Sequence, residues 1–103
     1  MQNKINTFNN TNSKYITPCP VHTRLIDIIS EMGELSKEYI KSTNYGNSQF
    51  VLTDSFKEEY GDVLYSMLSL ATELGIDSED CIDKVLEKME KRIIKNKTIG
   101  SGR

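Results

Sequence analysis

The chain has 103 residues, with 13 Lys and Arg against 15 Asp and Glu, a net charge of −2 and a pI near 5.4. That length predicts one small domain with much surface to cover or share, so self-association is expected. The charge excludes a global field for nucleic acid or an anionic membrane, no apolar run approaches the roughly 20 residues of a membrane span, and the absence of a signal-peptide core predicts a cytoplasmic protein.

Residues 1–19 read as a polar arm, rich in asparagine at Asn3, Asn6, Asn9, Asn10 and Asn12, with only Ile5 and Phe8 to bury. Such a composition predicts mobility. Thr17-Pro18-Cys19-Pro20 brings two prolines where a helix can start but not continue, because proline at the first helical position gives up only an amide that lacks a partner anyway. The first helix is therefore expected near Pro20. Cys19 and Cys81 lie far apart with no CxxC spacing and no histidine cluster, a pattern of two ordinary thiols in a reducing compartment rather than a zinc site or a disulfide. His22 is the single histidine and falls in the first turn, without partners for catalysis.

From Val21 to about Ser42, Leu25, Ile28, Met32, Leu35 and Tyr39 recur at steps of three and four, widened by Ile29 and Ile40. This is the stripe of a core-facing helix. Asp27, Glu31, Glu34 and Glu38 fall within a sector of roughly 60° beside it and form an acidic rail. Residues 42–53 contain Tyr45-Gly46-Asn47 and read as a connecting loop, with Tyr45 and Phe50 either packing it down or lining a pocket. The second helix is expected to start at Thr53, Asp54 or Ser55, and Ser55 with Glu58 has the spacing of a capping box. Phe56, Tyr60, Val63, Met67, Leu70, Ala71 and Leu74 form its predicted apolar face, Glu59, Asp62, Ser66 and Glu73 its polar flank, and Gly75 its stop. The box assigns Glu58 to capping or solvent.

Asp77-Ser78-Glu79-Asp80 caps a third helix with Cys81, Ile82, Val85, Met89 and Ile93 on its apolar side. Lys84, Lys88, Lys91 and Lys95 share a sector of roughly 60°, away from Asp83, Glu87 and Glu90, a rail that either complements the helix dipole in its C-terminal turns or meets an anion. Residues 98–103 then read as a flexible basic tail. The expected fold is all-α: three main helices per chain in an antiparallel bundle over residues 20–97, completed by oligomerisation, because three broad apolar faces cannot all be covered in so small a chain.

Residues three apart on a helix project from nearly the same side, so Glu31/Glu34 and Glu59/Asp62 can each present two carboxylates in one direction. Two such helices side by side repel unless a cation lies between them. A hard divalent ion fits oxygen donors of this kind, and Mg²⁺ binds through a few carboxylates together with substrate phosphates, which the lysine rail would meet. No Walker loop, dinucleotide fingerprint, kinase signature or Ser/His/Asp constellation is present.

Glu31-Met-Gly-Glu-Leu-Ser-Lys-Glu38 and Glu58-Glu-Tyr-Gly-Asp-Val-Leu64, with Leu70 to Asp77 and the helix from Lys84 to Arg92 as continuation, resemble the MazG-like branch of the all-α nucleoside triphosphate pyrophosphohydrolases. The resemblance implies a homodimer or homotetramer that hydrolyses (d)NTPs to monophosphate and pyrophosphate with Mg²⁺ or Mn²⁺. Carried over by residue, it places the metal on Glu31, Glu34, Glu59 and Asp62. It makes Glu31 and Glu34 the nearest candidates for the water-activating base, and gives the phosphates to Lys84, Lys88, Lys91 and Arg92. Many relatives have a glutamate just before the first motif, where this chain has Ser30, and an additional N-terminal helix where this chain is polar. A sister substrate is phosphoribosyl-ATP. A different class of reading is a non-catalytic helical module whose basic C-terminus contacts nucleic acid.

Overall fold

A computed structural model describes residues 1–16 and 20–97. The expectations for Thr17, Pro18 and Cys19 and for the basic tail at 98–103 lie outside the described residues. Within them are four α-helices and no strand: α1 (Gln2–Thr11), α2 (Val21–Ser42), α3 (Asp54–Leu74) and α4 (Ser78–Asn96).

The helix boundaries follow from local chemistry. Pro20 precedes α2 in extended backbone, and its carbonyl accepts from Arg24 N. At the other end of α2, the Thr43 hydroxyl donates to Ile40 O and accepts from Gly46 N, bracketing the turn in which Asn44, Tyr45 and Gly46 all have positive φ. Thr53 caps α3, its Oγ1 accepting from Phe56 N at 3.1 Å. This corrects the capping box expected at Ser55 and Glu58: the chain turns helical two residues sooner, and Glu58 is left in solvent. Gly75 ends α3 in the left-handed conformation at φ 69°, where Ile76 N donates to Ala71 O, a closure that favours glycine because a side chain there would be strained. Asp77 caps α4 by accepting from Asp80 N.

α2 and α3 form an antiparallel hairpin. Arg24 meets Glu73 at one end, Asp27 meets Ser66 farther in, and near the loop Phe50 stacks on Tyr39 and meets Phe56 edge-on, each at 5.2 Å between ring centroids. Phe50 thus packs the loop against both helices through its ring contacts although it is 40% exposed, whereas Tyr45 is 76% exposed.

The polar arm is corrected most. It contains α1, which lies along α3 through a seam of amides. Gln2, Asn6 and Asn9 are spaced four and three apart, one face of a helix. Tyr65 Oη donates to Asn9 Oδ1 at 2.6 Å, and Asn9 Nδ2 donates to Ser69 Oγ at 3.3 Å. The Thr72 hydroxyl donates to Asn6 Oδ1. Gln2 grips the link between α3 and α4, donating to Ile76 O at 2.8 Å and accepting from Ser78 N at 2.9 Å. Phe8 adds an edge-on contact with Tyr65. Each such bond contributes about 1 kcal/mol net, and stranding its buried partner costs about 1–3 kcal/mol. Asn9→Ala is therefore expected to lower stability by about 1–3 kcal/mol in urea unfolding, whereas the exposed Asn10→Ala should change it by less than about 0.5 kcal/mol.

Two further expectations change. Four helices, not three, are present among the described residues, and the extensive packing is of α2 and α1 against α3, while α4 buries no residue. The covered side of α3 is also rotated from the predicted one. Ser66, Leu68, Ser69 and Ala71 are its buried residues, and Tyr60, Met67 and Leu74 remain open. Ser69 and Tyr65 are held by Asn9 of α1 and Ser66 by Asp27 of α2, hydrogen bonds invisible to apolar periodicity.

Candidate metal centre

The α2/α3 hairpin brings the two acidic motifs face to face. One carboxylate oxygen each from Glu31 on α2 and from Glu59 and Asp62 on α3 lie within 4.8 Å of one another. Glu31 and Glu59 are half-buried and Asp62 is exposed. None of the three has a hydrogen bond or ion pair among the described residues. Burial first, then the charges of Asp62, Asp27, Glu59 and Glu34, raises the pKa of Glu31 above the ordinary glutamate value. Glu59 is raised in the same way, by burial and then by Asp62, Glu34, Glu38 and Glu58. No cation figures among the groups acting on either.

Such a group is unfavourable by itself, and a cation removes the conflict. Three carboxylate oxygens with no nitrogen or sulfur donor suit a hard divalent ion of the Mg²⁺ or Mn²⁺ type. The donor set therefore fits the metal that the motifs imply.

The metal-free protein should show the strain in its pH dependence. Because Glu31 and Glu59 hold their protons more tightly when folded, their contribution is fully present below the unfolded glutamate pKa, about 4.3, and is lost as pH rises through the raised folded values. Melting temperature measured from about pH 4 to 7 should fall more steeply for wild type than for the Glu31→Gln/Glu59→Gln double variant. Saturating Mg²⁺ should cancel that difference.

The remaining site expectations are placed unequally. Glu34 is exposed and stands outside the close trio, yet near enough for its charge to act on both Glu31 and Glu59. Glu58 is exposed and also outside the trio. On α4, Lys84 pairs with Asp80 at 3.5 Å and Lys91 with Glu87 at 3.1 Å, so the separation of charge expected from the helical wheel is broken by i,i+4 pairs. Lys88 and Arg92 join no ion pair among the described residues. Within one chain the basic rail is not drawn to the carboxylates. A cavity of about 780 Å³ lies elsewhere, between α1, α3 and the start of α4, lined by Leu64, Leu68 and Ile82 with Gln2, Asn3 and Asn6. His22 is exposed, as is the free thiol of Cys81. No helix among the described residues is long and apolar enough to cross a membrane.

The sequence reading placed Asp27 and Ser66 on the right helix flanks but gave them no contact. In the structure they join across the hairpin, one turn from the trio. The matching spacing, four residues before Glu31 and four after Asp62, was the available signal.

Residues 19–95 match the family described as the MazG nucleotide pyrophosphohydrolase domain. A protein of Bacillus subtilis (strain 168), "Uncharacterized protein YpjD", is 35% identical over 81 residues, which cover 76% of this chain and 68% of that protein. No solved structure matches the chain. The matched span holds α2, α3 and nearly all of α4, with Glu31, Glu59 and Asp62 inside it and α1 outside. On that match, the chain belongs to the MazG nucleotide pyrophosphohydrolase family.

Proposed function

We propose that the protein is a Mg²⁺-dependent nucleoside triphosphate pyrophosphohydrolase of the cytoplasmic nucleotide pool, converting (d)NTP and water into (d)NMP and pyrophosphate. The observation that carries this reading is the convergence of Glu31, Glu59 and Asp62 on one point with no counter-charge of their own. These three would hold the metal, with Glu34 at their edge. When bound, the ion supplies positive charge for the triphosphate and makes water a better nucleophile.

The residues of the chain divide the remaining work. Attack at the α-phosphorus breaks its bond to the bridging oxygen, and pyrophosphate carries away the electron pair. The water's proton goes to a carboxylate oxygen, with Glu31 and Glu34 the candidates. Lys84, Lys88, Lys91 and Arg92 are proposed to meet phosphate oxygens, on the support of their spacing along α4, and Lys88 and Arg92 are the two with no competing ion pair. A homodimer or homotetramer is part of the proposal, because α4 and one face of the α2/α3 hairpin leave large apolar side chains open.

A nucleotide panel tests the reading. The full chain incubated with each (d)NTP and with phosphoribosyl-ATP should release pyrophosphate and the matching monophosphate in equal amounts, only with Mg²⁺ or Mn²⁺. A folded protein that yields pyrophosphate from none of them overturns it.

A further inference from the structure

The hairpin carries a polar contact one turn from the carboxylate trio. Ser66, 4% exposed, donates through Oγ to Asp27 Oδ2 at 3.1 Å. Arg24 Nη1 reaches the same oxygen at 3.4 Å, while its Nε and Nη2 donate to Glu73 Oε1 at 3.2 and 2.9 Å. The Arg24 side chain is only 12% exposed. Asp27 is therefore held from both helices at once, by Arg24 on its own and Ser66 on α3.

The energetics explain why such a tie is needed where it stands. Glu31, Glu59 and Asp62 repel across the hairpin, so in the metal-free protein this stretch favours a slide or a rotation that separates them. A slide of one residue's rise, about 1.5 Å, would lengthen the 3.1 Å bond from Ser66 to Asp27 to roughly 3.4 Å and pull it off line, past the ordinary range of an O–H···O bond. That bond therefore discriminates between registers, and its buried member is the donor: stranding the Ser66 hydroxyl is costly, while the Asp27 side chain, 42% exposed, keeps access to water.

We propose that Asp27 is a positioning residue of the metal centre: pinned by Ser66 and Arg24, it fixes the α2/α3 register at which Glu31 faces Glu59 and Asp62. The inference rests on reading those three as the metal ligands. Asp27 itself stays out of the ligand set, its Oδ2 shared by the hydroxyl and the guanidinium.

The test uses the full chain in two arms, with Ser66→Ala, Asp27→Asn and the double variant, all near-isosteric changes. One arm measures Mn²⁺ affinity from the electron paramagnetic resonance of the free ion. The other measures, without metal, the distance distribution between nitroxides at Ser30→Cys and Glu58→Cys, both exposed positions, in a chain carrying Cys19→Ser and Cys81→Ser and diluted with unlabelled protein. Ser66→Ala removes the bond, and Asp27→Asn weakens it by making the acceptor neutral while also losing the charge that faces Arg24, so each single variant should weaken Mn²⁺ binding roughly tenfold and the double variant no more than the weaker-binding single. The distance distribution should shift or broaden in all three. An unchanged distribution overturns the proposal whatever the metal does, and weakened Mn²⁺ binding with that result would make Asp27 a direct ligand. A changed distribution with wild-type Mn²⁺ affinity overturns the positioning role. If wild type binds no Mn²⁺ yet the distribution responds, the metal reading falls and the register role of Asp27 stands.

Discussion

Glu59→Gln is expected to lose pyrophosphate release by a hundredfold or more while making the metal-free protein more stable. The two effects have one cause. Glu59 lies beside Asp62 and Glu31, and its pKa is raised by burial and by the acids around it. A neutral amide removes the repulsion, so the metal-free melting temperature at neutral pH should rise. The same amide is a weaker ligand for a hard ion, and the charge stabilisation that a metal provides is worth several kcal/mol, about a hundredfold or more in rate. Calorimetry with and without Mg²⁺, beside a pyrophosphate assay, checks both halves. A variant with lower metal-free stability and unimpaired turnover would remove Glu59 from the site.

The second large effect concerns the side of the hairpin away from the metal. At about 100° per residue, Leu25, Ile29, Met32 and Tyr39 on α2 and Tyr60, Met67 and Leu74 on α3 fall toward one side, and the carboxylates toward the other. All seven are exposed in the single chain, and Leu68 and Ala71 are the buried hydrophobic residues among those described. A core so small does not offset the ordering of a chain of this length. Burial of each such side chain is worth about 1.5–3 kcal/mol, and a two-fold interface counts each residue twice. Ile29→Asp should therefore raise the dissociation constant of the oligomer by about a hundredfold or more. Sedimentation across a dilution series reads this directly. Wild type that remains monomeric at high concentration would remove the oligomer from the proposal.

These two predictions rest on different kinds of legibility. The carboxylates of Glu31, Glu59 and Asp62 could be assigned to a common site from spacing, because an i,i+3 pair on a helix has one direction available to it. Which of the four predicted acids come closest depended on how the helices are rotated against each other, and that is set by Asp27 with Ser66 and by Arg24 with Glu73. Glu34 lies on the predicted rail, yet the rotation carries it to the edge of the trio. α4 shows the same division. Asp77 was legible as its cap, but the pairing of Lys91 with Glu87 was not, since the wheel gives angular positions and a flexible lysine spans the gap between them.

α1 marks the limit of apolar periodicity. Its contacts are made by Gln2, Asn6 and Asn9, residues that give no hydrophobic stripe and, for asparagine, a poor helix propensity. Their spacing was helical all along. An amide stripe gains its meaning only when hydroxyls such as Tyr65, Ser69 and Thr72 face it.

What the sequence determined by itself is local: an all-α chain, the caps at Asp77 and Gly75, and two acidic pairs each pointing one way, because these depend on backbone chemistry within a turn or two. The tertiary structure decided what depends on two helices meeting. It placed three carboxylates within 4.8 Å, turned α3 toward an amide-lined α1, and left one apolar face open, since register and rotation are fixed by contacts between residues tens of positions apart.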